Sequence, residues 1–291
     1  MGDPAIAREM IKVAAEYCHA DVIKFQKRNP RECLTPTQYR SPHPNSYHSF
    51  GRTYGEHREK LEFSIDIHRE LKEYCEHLGA IYSTSVWDLT SAREVVALGP
   101  KMIKIPSACN QHEKLVLYIA HEFAGEIHVS LGMTDRHEEE KLLESLDKAG
   151  RLKDAVLYAC TSGYPVPEED VCLLELTRLR QSYRSVIGGI GFSGHHKGIA
   201  IDMAAVTLGA EFIERHFTLD RTLKGTDHAA SLEPDGLRKL RRDTVAVVAA
   251  LKAKSEPILP IEWEQRRKLK RKLGFHRSDS RNSGTEHGVG L

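Results

Sequence analysis

The sequence predicts an α/β protein whose parallel strands, each followed by a helix, close into a (β/α)8 barrel with its first strand absent. Three observations lead there. Short apolar runs alternate with amphipathic helical patterns, and their starts recur about every 25 residues, the length of a βα unit. Polar and ionisable residues collect at or just past the end of each run. The chain opens on a helical pattern, so only seven runs are found where a closed barrel needs eight.

Taken in order, residues 5–17 read as an amphipathic helix. The strand runs are 21–25, 80–84, 102–105, 127–131, 156–160, 187–192 and 211–215. Helical patterns cover 58–78, 89–98, 113–123, 138–148, 198–208 and 234–251. Residues 30–54 form a long loop rich in Pro, Ser, His and Tyr, and loops of that length are commonly functional. Residues 262–272 are a basic helix, read as a solvated surface. The polar tail 274–291 is predicted to be disordered, leaving 1–273 as the barrel domain.

An open doubly wound sheet would also alternate strands and helices, but it would bind ligands at one switch point. Here every strand end contributes. Lys24 and Gln26 belong to the first, Ser83, Thr84 and Ser85 to the second, and Lys104 and Ser107 to the third. Ser130 lies late in the fourth; Thr161, Ser162 and Tyr164 follow the fifth; Ser193 and His195 follow the sixth, and His216 the seventh. That distribution is a barrel's.

Composition narrows the function. A net charge of +1 gives no field to draw in nucleic acid or anionic lipid. The six cysteines form no CxxC pair, which argues against a zinc or disulfide framework and for a reducing cytoplasm. The opening residues lack a signal peptide's apolar core, and no apolar run approaches the roughly 20 residues of a membrane span.

His195, in GFSGHHKG, and His216, in ERHFTLD, lie at the ends of consecutive strands, close enough to converge on one divalent ion. Lys24 and Lys104 in a barrel mouth call for an anion such as phosphate or carboxylate. With Ser83, Ser107, Ser130 and Ser193 they suit a small phosphorylated acid. A rival use of Lys104 is Schiff-base chemistry, which needs one lysine and no metal. Asp227 and His228, in KGTDHAASLEP, suit either substrate contact or an Asx turn. The glycines of GGIGFSGHHKG are by themselves weak evidence for a phosphate loop.

Taken together, the segments ADVIKFQK, GRTYGEHREKLEFS, KIPSACN, VSLGM, CTSGYPVPEEDVCL, IGFSGHHKGIAIDMAAVTLGA and IERHFTLDRTLKGTDHAASLEP resemble the N-acetylneuraminate (sialic acid) synthase family. The resemblance runs from residue 2 to 234. It implies a (β/α)8 barrel that condenses phosphoenolpyruvate with N-acetylmannosamine, its 6-phosphate or a related aminosugar, and the GFSGHHKG, ERHFTLD and KGTDHAASLEP blocks are specific in combination. It implies Mn²⁺, replaceable by Mg²⁺ or Co²⁺, held by His195 and His216, and a homodimer. Lys24, Lys104, Ser107, Ser130 and Ser193 then match phosphoenolpyruvate contacts, while Tyr164 and Asp227 match positions facing the sugar. Lys104, Asp227 and Tyr164 are the expected catalytic groups, and Gln26, Ser83, Asn110, Thr161 and Ser162 complete the expected substrate-binding rim. The family's opening strand, with its Glu-Ile-Gly and Asn-His segment, and its C-terminal antifreeze-like domain have no counterpart in these residues. A barrel aldolase or lyase working through Lys104, and a non-catalytic sugar-binding relative, are the alternatives.

Overall fold

The computed structural model describes residues 2–271. The expected disordered tail, 274–291, lies outside them. The first helix, α1 (Pro4–Lys12), starts where Asp3 accepts hydrogen bonds from the amides of Ala5 and Ile6, with Pro4 in the first turn, where a missing N–H costs nothing. It runs on as a π-helical turn, Val13–Tyr17, and leads into β1 (Val22–Lys27). The long loop that follows is partly helical, with α2 (Pro30–Cys33), α3 (Pro36–Arg40) and a 3-10 turn at Ser46–His48. The helical pattern predicted over 58–78 is two helices, α4 (Tyr54–Glu59) and α5 (Ile65–His77). Ser64 breaks it by capping the amide of Ile67, so α5 begins on a new axis.

From there strand and helix alternate: β2 (Ile81–Val86), α6 (Leu89–Leu98), β3 (Met102–Ile105), α7 (Glu113–Glu122), β4 (Glu126–Ser130), α8 (Arg136–Lys148), β5 (Ala155–Cys160). Then come α9 (Leu174–Tyr183), which the sequence patterns above do not include, β6 (Gly189–Gly194), α10 (Ala200–Thr207), β7 (Phe212–Arg215) and α11 (Pro234–Ala250). Gly99, in the left-handed conformation that glycine adopts freely, ends α6.

All seven strands are parallel and pair in chain order, β1 through β7. The curled sheet and its outer helices make an α/β half-barrel, as expected. The main core lies outside β2–β6, where Ile103, Ile105, Ile127, Val129, Leu157 and Ile190 pack against the helices. A smaller cluster of Ile11, Leu71, Cys75 and Tyr82 joins α1 and α5 to β2. Among the described residues no strand joins β7 to β1. Across that seam, Tyr17 donates to Asp235 at 2.5 Å and Arg241 donates to Asp21 at 2.8 Å and to the carbonyl of His19 at 3.1 Å.

A second compact unit begins at Lys252. Its described part holds α12 (Pro260–Leu269) and an ion pair between Lys254 and Glu262 at 2.7 Å. No helix among the described residues is long and apolar enough to cross a membrane.

Candidate active site

Inward-facing positions alternate along each strand, so parallel register stacks them in layers. The register pairs Lys24 with Ser83, Ser85 with Lys104, and Ser193 with Glu214. Lys24, Ser83, Lys104 and Glu214 line a cavity of about 1380 Å³ that also meets His216, Asp227 and the segments around 43–58 and 223–228.

At its centre is Glu214, which the sequence reading did not single out. Its carboxylate accepts from Lys104 Nζ at 2.7 Å and from Ser193 at 3.0 Å, and Lys24 Nζ lies 3.6 Å away. Burial by itself would raise the Glu214 pKa, but Lys104 and Lys24 overcome it and hold the carboxyl well below the usual carboxylate range. Burial lowers Lys104 to about 8 against the pull of Glu214. Two ammonium groups around one carboxylate leave the cluster with net positive charge at neutral pH. Lys24 also donates to Ser85 at 3.1 Å. The signal for Glu214 was available: in FIERHF, Glu214 and His216 stand two apart, the second just past the end of β7, so an extended chain turns both to one face.

The two histidines meet at the mouth. Their ring centroids are 5.3 Å apart, edge to face, and the Tyr164 ring lies 4.4 Å from His195 and 5.7 Å from His216. Burial lowers both pKa values, that of His216 to about 4, so both imidazoles are neutral at pH 7. The carbonyl of Thr161 accepts from His195 Nδ1–H at 3.0 Å, which leaves the Nε2 lone pair available. Asp227 Oδ2 lies 3.8 Å from His216 Nδ1. Behind them, Arg215 donates to Asp202 at 2.5 Å, to the carbonyl of His196 at 2.6 Å and to that of Gly198 at 2.8 Å. This buried clamp ties the loop carrying His195 to the strand end carrying His216. Among the described residues no three His, Cys, Asp or Glu side chains form a metal-ligand group. Two neutral imidazoles side by side still fit a divalent ion that draws its remaining ligands from water and substrate.

Other expected residues divide. Ser107 and Ser162 hydroxyls converge on Gly132, where an added Cβ would come within 2.8 and 2.4 Å of them. Gln26 lines the cavity with its buried Oε1 unpartnered, and Ser130 is buried near the same end. Asn110 and Thr161 have local engagements instead, and Ser83, on the cavity wall, has one as well. Ser83 donates to the carbonyl of Met102 at 3.3 Å, Asn110 to that of Ser130 at 2.9 Å, and Thr161 to that of Asp170 at 2.9 Å. Asp227 precedes the 3-10 turn His228–Ala230 and accepts from Thr226 at 2.9 Å.

The far wall of the cavity comes from the long loop. His48 Nδ1 accepts from the Gly225 amide at 3.1 Å, joining that loop to the segment bearing Asp227. Lys224 lies over the Phe50 ring at 4.8 Å, and Arg58 donates to Tyr54. Among the described residues neither cation pairs with a carboxylate.

A model of the NeuB family matches residues 10–256. The chain is 35% identical over 268 residues to N-acetylneuraminate-9-phosphate synthase of Homo sapiens, covering 92% of this chain and 73% of that protein. It is 33% identical over 240 residues to N,N'-diacetyllegionaminic acid synthase of Campylobacter jejuni, covering 82% and 70%. It is also similar to the crystal structure of an N-acetylneuraminic acid synthetase from Leptospira borgpetersenii in complex with citrate, with a TM-score of 0.76, 30% identity, and coverage of 93% of this chain and 89% of that one.

Proposed function

This chain belongs to the NeuB family, and from that premise we propose that it condenses phosphoenolpyruvate with a phosphorylated N-acetylated aminosugar to give a nine-carbon 2-keto-3-deoxy acid phosphate. The enzyme is a carbon–carbon bond-forming synthase. The observation that carries the substrate reading is the Lys24–Glu214–Lys104 cluster, a buried site with excess positive charge and hydroxyls beside it. Phosphoenolpyruvate offers a carboxylate and a phosphate to that cluster.

C3 of phosphoenolpyruvate attacks the sugar aldehyde carbon, water then adds at C2, and inorganic phosphate leaves by C–O cleavage. Lys104 and Lys24 hold the anion, and Glu214 keeps both ammonium groups in place between strands. His195 and His216 would hold a divalent ion, Mn²⁺ in preference to Mg²⁺ or Co²⁺. Such an ion, when bound, supplies Lewis-acid polarisation of the aldehyde oxygen. Tyr164 packs against the two imidazoles. Asp227, beside His216, is the group placed to move a proton at the sugar. We place the sugar phosphate against Arg58 and Lys224, which offer unpaired positive charge on the far wall. We further propose a cytoplasmic homodimer.

The test is phosphate release from phosphoenolpyruvate with a panel of aminosugars and their 6-phosphates, with Mn²⁺ and with chelator. The expected result is metal-dependent release, fastest with a 6-phosphate. Release that persists in chelator, together with a borohydride-trapped adduct at Lys104, would replace this reading with the Schiff-base one.

A further inference from the structure

Below Lys104 lies a row of side chains that the condensation does not use. The ammonium of Lys104 sits 3.7 Å from the centroid of the Tyr158 ring. The Tyr158 hydroxyl meets His128 Nδ1 at 2.8 Å, and His128 Nε2 meets the Glu126 carboxylate at 3.0 Å. Lys104, His128 and Tyr158 are all buried, whereas Glu126 is exposed. The three strands β3, β4 and β5 are neighbours, and Lys104 stands opposite His128 in the register. Opposite Tyr158 on β6 is Gly191, where an added Cβ would lie 2.4 Å from the Tyr158 ring. The sequence thus leaves a place for the ring that any larger residue at 191 would fill.

We propose that Tyr158, oriented by His128 and Glu126, is a positioning residue that fixes the Lys104 ammonium from below. A lysine has a long flexible stem, and its ammonium does not choose a direction without partners. Glu214 holds it from one side and the Tyr158 face from another. Since a carboxylate accepts at Nε2, neutral His128 carries its proton there and presents Nδ1 as an acceptor. The Tyr158 O–H donates to it. That donation moves electron density toward the ring and strengthens its attraction for the cation. The remaining charged and titratable groups near Lys104 are Lys24 on β1, Cys160 on β5 and His195 after β6.

The proposal rests on the reading of Lys104 as an anion holder, and two readouts separate them. Tyr158→Phe is compared with phenylalanines carrying one, two and three ring fluorines at the same position, which keep the shape and drain the ring. One readout is the rate at which a small acylating reagent modifies Lys104, followed by peptide mass spectrometry. The other is calorimetric affinity for phosphoenolpyruvate. Across the series labelling should quicken by about tenfold and affinity should fall by about tenfold, the range of a desolvated cation–π contact. His128→Leu should quicken labelling by about threefold, and should add nothing further once Tyr158→Phe is present, as expected for two groups acting through one contact. A flat labelling series in folded protein overturns the proposal. A rising labelling series with no phosphoenolpyruvate binding, even by the unaltered chain, keeps the positioning role and overturns the substrate reading.

Discussion

The two sides of the curled sheet differ in how they are supported. On the closed side, β3, β5 and β6 are buried along nearly their whole length and each has a strand on both flanks. On the seam side, β1 and β7 are half-buried and each pairs with one strand only. Yet the seam side carries Lys24, Glu214 and, just beyond its last strand, His216. The closed side supplies Lys104, Ser193 and His195. The site is therefore built by pressing charged groups from the less supported strands against a rigid half. Its geometry depends on ion pairs that reach across the barrel, such as Lys104 with Glu214.

The sharpest way to break this comparison is Glu214→Ala. It leaves two cations facing each other, one of them fully buried, and the expected loss is about 3–5 kcal/mol of stability by urea denaturation. The matching change on the closed side, Ser83→Ala, removes one hydroxyl bonded to a carbonyl and should cost about 1 kcal/mol. Equal losses would mean that the seam pairs add nothing to the fold.

Next come the histidines, one from each side. His195→Ala and His216→Ala should each abolish metal retention by elemental analysis and lower turnover by about 10² or more, with unfolding midpoints almost unchanged. Stoichiometric metal in either variant would remove that histidine from the donor set.

A pH series distinguishes function from stability at Lys104. Its folded pKa, lowered by burial to about 8, lies below the unfolded value of about 10.4. Between the two, the unfolded chain binds more protons, so the contribution of Lys104 to stability rises with pH. Phosphoenolpyruvate affinity should move the other way, falling as pH passes about 8 and the ammonium is lost. Glu214 has the opposite assignment. Its depressed folded pKa stabilises above the unfolded value near 4.3, and that contribution is lost as pH falls below it. Calorimetric titrations and melts across pH 6–10 cover the first prediction; an affinity that is flat through pH 8–10 would remove Lys104 from the anion site.

The smallest expected effect is at the seam's outer face. Arg241→Ala removes a half-exposed ion pair and one bond to a carbonyl, about 1 kcal/mol or less in total. Hydrogen exchange in β1 should nonetheless quicken more than in β4.

Much of this was legible in the sequence, for reasons that particular residues show. Every strand was found within about two residues, because short apolar runs bounded by polar ends have few other solutions. His195, His216, Lys24 and Lys104 were legible because ionisable side chains at strand ends need a partner. Glu214 was not singled out because nothing near it in the chain marks it as paired. Its true partners are Lys104, 110 residues earlier in the chain, and Lys24. The split between α4 and α5 was missed because the periodicity runs on through Ser64, and only the cap reveals the break. Ser83 and Thr161 show the converse: a hydroxyl's position at a rim does not say that a nearby carbonyl already accepts from it.

The bonds of Tyr17 to Asp235 and of Arg241 to Asp21 join positions 218 and 220 residues apart. Every strand pair, by contrast, links neighbours in the chain. As the polypeptide leaves the ribosome, the sheet can grow strand by strand, each addition closing only a modest loop. The fastening of α11 onto the first turns must wait until nearly the whole unit has been made. The assembly of this unit therefore includes long-range closures that come late. Until then the first turns lack the side chains of α11 that hold them, and the nascent chain is open to contact with others.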